Sequence, residues 1–194
     1  MHCIVESKRD PMKGLMIVDV QQDFCPGGAL ATPYGDKVVP VINKLMHKFA
    51  LVLASRDWHP PGSVHFEKWP VHCVRNTPGA AYHPDLNTSK FDVELVKGTS
   101  DKDDGYSAFE ATNLPLAETL RRKNVDELFV CGLTTEYCVK ETVLAALRQG
   151  FKTYLIEDAT EAVLANPDDP DEAIEEMRRA GAIIVKSTDE RVGD

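Results

Sequence analysis

Several absences narrow the possibilities for this chain before any motif does. No apolar run approaches the roughly 20 residues of a membrane span, so no membrane partner is expected. There is no CxxC pair, and the five cysteines (Cys3, Cys25, Cys73, Cys131 and Cys138) are odd in number and scattered. That argues against a disulfide scaffold or a thiolate zinc cluster and suits a reduced, cytoplasmic protein. Neither GxGxxG nor a phosphate-loop lysine occurs, leaving a nucleotide site unsupported. Basic residues are scarce, 22 Lys and Arg against 31 Asp and Glu, for a net charge of −9. Nucleic acid and anionic membranes are therefore disfavoured, although local charge could still accept a small anion. The opening MHCIVESKRDPMKG has no apolar centre and does not read as a signal peptide.

What is present is a regular alternation. Residues 14–20, 51–54, 91–97, 126–131, 152–157 and 182–186 read as strands, most of them apolar and β-branched enough to be buried. Apolar residues at helical spacing mark helices over 38–49, 113–123, 135–149 and 170–180, with 158–166 a helix or loop. Asp169 and Pro170 open the last helix, and Gly181 ends it. The pattern predicts an α/β fold, a three-layer α/β/α sandwich with a mostly parallel sheet of about six strands. With 194 residues and no repeat or linker, a single domain over 14–194 is expected, preceded by a loose leader over 1–13.

The chain is organised around Cys131-Gly132-Leu133-Thr134-Thr135-Glu136-Tyr137-Cys138-Val139, where strand gives way to helix. Thr134 or Thr135 could serve as N-cap, placing Cys138 in the first helical turn. Unpaired N–H groups and the macrodipole there are expected to lower the thiol pKa. The N–H groups near Thr134 and Cys138 could also hold an oxyanion. A cysteine in such a place is otherwise a small buried apolar residue.

Two more strand ends carry chemistry. Asp19 closes the first strand and Lys97 the third, and the carboxyl ends of parallel strands gather on one edge. A carboxylate can take the thiol proton and return it to a leaving amine, while a neighbouring ammonium keeps that carboxylate ionised. The implied class is acyl transfer from a carboxamide to water through a thioester. No histidine is needed as base, which frees the histidines. Asp57, His59, His65 and His72 lie in one loop-rich block, and mixed imidazole and carboxylate donors suit zinc, iron or manganese in an open site. Asp101, Asp103 and Asp104 read instead as solvated loop charges, since their spacing fails a calcium loop.

The blocks DVQQDF (19–24), RDWHPPGSVHF (56–66), WPVHCVRNTPGA (69–80), VKGTSDKDDGYSAF (96–109) and CGLTTEYCV (131–139) together resemble the nicotinamidases, within the isochorismatase-like cysteine hydrolases. The resemblance spans about residues 14 to 186, with the blocks in family order. It implies a triad of Asp19, Lys97 and Cys138, and a cis peptide between Leu133 and Thr134 that shapes the oxyanion hole with Cys138. It implies one divalent metal ion on Asp57, His59 and His72, with His65 matching a fourth ligand of some members. Phe24, Trp69 and Tyr106 match aromatics that bind the substrate ring. The substrates implied are nicotinamide and its analogue pyrazinamide, in NAD salvage. His83 reads as structural, and Cys25, Cys73 and Cys131 as packing residues. A homo-oligomer is left open. The competing readings are another small-amide hydrolase of the same superfamily, a hydrolase using metal-bound water with Cys138 only packed, or a metal-binding protein without turnover.

Overall fold

The structure is a computed structural model and describes residues 11–164, 166 and 169–193. Strand β1 (Met12–Val18) is followed by helix α1 (Val38–Leu45), β2 (Leu51–Asp57), β3 (Val93–Lys97), α2 (Leu116–Arg122) and β4 (Val125–Leu133). A turn leads into α3 (Lys140–Arg148), then β5 (Lys152–Glu161), α4 (Asp169–Arg179) and β6 (Ile183–Val185). The six strands form one sheet in the order β3-β2-β1-β4-β5-β6, and every pairing is parallel. Among the described residues no helix is long and apolar enough to cross a membrane.

Strand periodicity builds the layers. Successive side chains of β1 point to opposite faces, so Leu15 and Ile17 join one core with Val38, Ile42 and Leu45 of α1. Met16 and Val18 join the other, with Leu116 and Leu120 of α2, Val143 and Ala146 of α3 and Met177 of α4. Both faces being covered explains the near-continuous apolar runs. Each such fully buried Val, Leu, Ile or Met side chain contributes about 1.5–3 kcal/mol, which makes β1 and β4, central in the sheet, a stiff base for whatever their ends carry.

The topology locates the crevice. The chain winds outward from β1 to β3, then returns to lay β4 beside β1, and ligands of open α/β sheets bind at the strand ends beside such a reversal. Three sequence expectations change. Met12 and Lys13 are paired strand residues, with Met12 opposite Val125, while residues 1–10 of the expected leader lie outside the described residues. Residues 158–161, expected to leave the sheet, continue β5, because a register shift between Val130 and Gly132 re-pairs Gly132 with Thr160. The helix expected from 135 begins as an α-helix only at Lys140.

Candidate active site

Three strand ends converge. Asp19 follows β1 directly, with φ 47°, a left-handed conformation that aspartate tolerates better than most residues. Its amide donates to Ser55 O (3.1 Å), and Ser55 Oγ donates to its Oδ1 (2.8 Å). Asp57 and Lys97 close β2 and β3 as register partners. Gln21 braces the β1 and β2 ends: Oε1 accepts from Asp57 N (2.7 Å), and Nε2 donates to Asp57 O (2.8 Å) and Ala80 O (2.9 Å).

Lys97 is fully buried, and its Nζ lies 2.6 Å from Asp19 Oδ2, 2.6 Å from Asp57 Oδ1 and 2.7 Å from Gly105 O. The same ammonium reaches Cys138 Sγ at 3.6 Å. A buried charge persists only when paired, and here two carboxylates flank one lysine. Burial alone would drive the lysine pKa down, but Asp19 and Asp57 outweigh it and hold the pKa well above the usual value. Burial pushes the Asp19 carboxyl up to about 6 against the pull of Lys97. Asp57 goes the other way, since Lys97 and His59 together overcome its burial and hold it below the ordinary carboxylate range.

Cys138 arrives on a single π-helical turn, Thr135–Val139, in which Val139 N reaches Thr134 O at 3.1 Å. The peptide bond between Leu133 and Thr134 is cis. Gly132 before it has φ 114°, and a β-carbon there would meet Val18 O at 2.1 Å, so only glycine lets β4 pass β1 at this point. Two local expectations are corrected. Thr134 occupies the cap position, but its side chain makes no capping bond. The Cys138 thiol pKa is not lowered: burial raises it well above the usual value, assisted by Asp19 and Asp57 and opposed by Lys97. Desolvation of a thiolate outweighs the helix-start effect, so the resting group is a thiol beside a base. Asp19, Asp57 and Cys138 each bring an oxygen or sulfur within 4.8 Å of the others.

The histidines gather on the far side of Asp57. His59 follows β2 by two residues, and its Nε2 is 3.6 Å from Asp57 Oδ2. Its ring stacks on that of His65 (centroids 4.5 Å apart) and meets His72 edge-on at 5.1 Å. One nitrogen from each of His59, His65 and His72 lies within 4.8 Å of the other two. Both nitrogens of His59 are buried without a hydrogen-bond partner, an arrangement that a bound cation would satisfy. His72 Nδ1 lies 2.7 Å from Pro70 O, which can only accept, so Nδ1 carries the proton and Nε2 keeps its lone pair. Burial lowers the pKa of His65 and His72 and favours the neutral imidazoles that ligate metals. Gly98, at φ 63°, leaves room for the His59 ring, which a β-carbon would meet at 2.5 Å. The donor set fits a divalent ion, with Asp57 lying between His59 and Lys97.

A cleft joins the two groups. Cys138, Asp57 and the three histidines line it, and Phe24, Trp69 and Tyr106 supply aromatic walls. Asp19 and Lys97 lie behind this lining. Trp69 Nε1 donates to Tyr106 OH (2.9 Å), and Phe24 packs against His72 at 5.4 Å. Leu30, Tyr137 and Val163, residues with no sequence signal beyond being apolar or aromatic, also line the walls, with Gly105 and Thr134. His83 lies apart from the cleft, accepting from Asp85 N. Cys25, Cys73 and Cys131 are buried, free and set in packing positions.

The aspartates of the 101–104 loop are not merely solvated. Asp101 accepts from Val64 N (2.9 Å), Asp104 from Ser100 Oγ, and Asp103 from Tyr106 OH (2.8 Å) while touching His65 Nδ1 (3.0 Å) and Lys68 Nζ. Glu136 also gave no signal in the sequence. It is buried, its Oε1 accepts from Val163 N (2.8 Å) and Leu164 N (3.2 Å), and burial raises its pKa.

Known proteins share this architecture. The family model described as the isochorismatase domain matches residues 13–189. The nicotinamidase of Escherichia coli is 38% identical over 92% of this chain and 97% of its own length. The crystal structure of a pyrazinamidase of Pyrococcus horikoshii in complex with zinc superposes with a TM-score of 0.82 at 43% identity, covering 91% of this chain and 99% of that one. The L. infantum protein PnC1 in complex with nicotinate superposes with a TM-score of 0.85 at 33% identity, covering 91% and 93%.

Proposed function

The chain belongs to the isochorismatase domain family, and on that premise we propose that it hydrolyses nicotinamide to nicotinate and ammonia, with pyrazinamide as an alternative substrate. The observation that carries this reading is the buried Lys97 ammonium, 2.6 Å from Asp19 and 3.6 Å from Cys138 Sγ, at the base of an aromatic cleft whose other side is three clustered histidines. An E. coli relative named a nicotinamidase and a similar structure holding nicotinate support the substrate assignment.

In this reading Cys138 Sγ attacks the carboxamide carbon as its proton passes to Asp19. Lys97 holds Asp19 ionised for that transfer and offsets the charge that builds on sulfur. The backbone N–H groups of Thr134 and Cys138 hold the oxyanion. Collapse breaks the C–N bond, Asp19 returns the proton to nitrogen, and ammonia leaves a thioester on Cys138. Water then attacks the thioester with Asp19 as base, releasing nicotinate and restoring the thiol. Because the thiol rests protonated, base and nucleophile act together at the moment of attack, without a standing thiolate. Asp57, His59, His72 and His65 would hold a divalent ion, zinc being the one in the P. horikoshii relative. When bound, that ion would supply a Lewis-acid contact for the pyridine nitrogen. Phe24, Trp69 and Tyr106 flank the ring and set its plane. The product carboxylate would feed NAD salvage, and the free cysteines suit a cytoplasmic setting.

The test is ammonia release from nicotinamide by zinc-loaded protein, beside Cys138→Ala. Release by the wild type alone is expected. Release by both would move the chemistry away from the thiol, and release by neither, with folded protein, would send the assignment to other small amides.

A further inference from the structure

Behind two of the cleft's lining residues, His65 and Tyr106, lies Asp103, whose side chain joins two loops. From one loop it contacts His65 Nδ1 through Oδ1 (3.0 Å) and Lys68 Nζ through Oδ2. From its own loop it accepts from Tyr106 OH through Oδ1 (2.8 Å), and Tyr106 OH in turn accepts from Trp69 Nε1 (2.9 Å). One carboxylate oxygen is thus shared by an imidazole of the histidine cluster and a phenol of the aromatic wall.

The chemistry of these contacts has a direction. An ionised carboxylate only accepts, so His65 Nδ1 must carry the proton and Nε2 must keep its lone pair. A carboxylate behind an imidazole also raises its basicity and locks its orientation. On the other branch, the Tyr106 hydroxyl spends its proton on Asp103 and leaves its lone pairs for Trp69, which fixes both rings relative to the cleft. We propose that Asp103 is a positioning residue that sets the His65 imidazole for metal binding and, through the same oxygen, fixes the Tyr106–Trp69 wall against which the substrate ring lies. The inference rests on the metal reading above. Lys68 is mostly exposed, and its pairing with Asp103 is a surface contact that contributes little.

The experiment measures zinc affinity by competition with a chromophoric chelator, and nicotinamide kinetics at saturating zinc, for wild type, Asp103→Asn, Lys68→Met and Tyr106→Phe. Asp103→Asn is expected to weaken zinc binding by about 10- to 100-fold, the usual cost of losing a carboxylate behind a metal-binding histidine. With zinc saturating, it should raise KM more than it lowers kcat. Tyr106→Phe breaks only the aromatic branch and should raise KM with zinc affinity unchanged, and Lys68→Met should change neither. Equal zinc affinity in wild type and Asp103→Asn overturns the inference and leaves the metal reading standing. A Lys68→Met loss as large as that of Asp103→Asn also overturns it, since a surface clasp would then suffice. A wild type that binds no zinc, iron(II) or manganese(II) removes the metal reading and the inference together.

Discussion

The two ends of the cleft are built by different means. At the base, Asp19, Asp57 and Lys97 extend from adjacent parallel strands, and ladder hydrogen bonds fix their backbones. At the rim, His65, His72, Trp69 and Tyr106 stand on loops, held by side-chain contacts to Asp103 and Pro70 O. Charge is divided accordingly. The base confines an ammonium between two carboxylates beside a thiol, while the rim presents neutral imidazoles and aromatic faces. Asp57 belongs to both, with Oδ1 on Lys97 and Oδ2 toward His59. A deeply desolvated ion cluster needs the rigidity of strand ends, because each unpaired charge there would cost several kcal/mol. A set of neutral donors tolerates looser support, and loops can supply it.

Substitutions can break this division, beginning with the largest effect. Cys138→Ala should lower kcat for nicotinamide by at least about 10⁴-fold, in line with loss of a nucleophile elsewhere, while zinc affinity stays at the wild-type level. Loss of both would show that base and rim are not separable. Lys97→Met should abolish activity and destabilise the fold by about 3–5 kcal/mol at neutral pH, because Asp19 and Asp57 would face each other without a cation. Acid should relieve part of that cost, since Asp19 can take a proton. Urea unfolding at pH 5 and pH 8 checks this, and a variant equally unstable at both would contradict it.

Titration sharpens the comparison further. In the proposed mechanism Asp19 must be ionised to accept the thiol proton, and its carboxyl is raised to about 6 by burial. The acid limb of kcat/KM for nicotinamide should therefore fall with an apparent pKa near 6. An acid limb at the ordinary carboxylate value, about 4, would assign the base elsewhere. The smallest effect belongs to Glu136, whose raised pKa comes from burial. A carboxyl raised in the folded state adds stability that is fully present below its unfolded pKa and lost as pH rises through the folded one. Wild type should thus gain stability on mild acidification relative to Glu136→Gln. Parallel Tm profiles from pH 4 to 8 would rule this out.

Much of the architecture was legible in the sequence for a physical reason. Strands buried on both faces must be almost wholly apolar, and helices over a sheet must be amphipathic, so β1, β4 and α1 announced themselves by pattern. A mostly parallel sheet followed from strand and helix alternation, and every pairing of the six strands is parallel. What pattern could not show was the extension of β5 to Glu161, because its re-pairing depends on a bulge opposite β4. Nor could pattern reveal the π turn at Thr135–Val139, whose residues read as the start of an ordinary helix.

By itself the sequence determined which chemical groups stand at which strand ends: a carboxylate at 19, another at 57, an ammonium at 97 and a thiol just beyond β4. These follow from local periodicity and turn signals, which depend on near neighbours along the chain. Only the tertiary structure decided how those groups behave. It set Lys97 between two carboxylates, raised the Cys138 thiol where the local sequence suggested lowering it, and recruited Ser55, Gln21, Glu136 and Asp103 as supports. Those outcomes depend on desolvation and on contacts between residues far apart in the chain, such as Lys97 with Asp19, Lys97 with Cys138 and Asp57 with Gln21. Such terms have no signature in local pattern, because burial and charge proximity exist only once the chain has closed on itself.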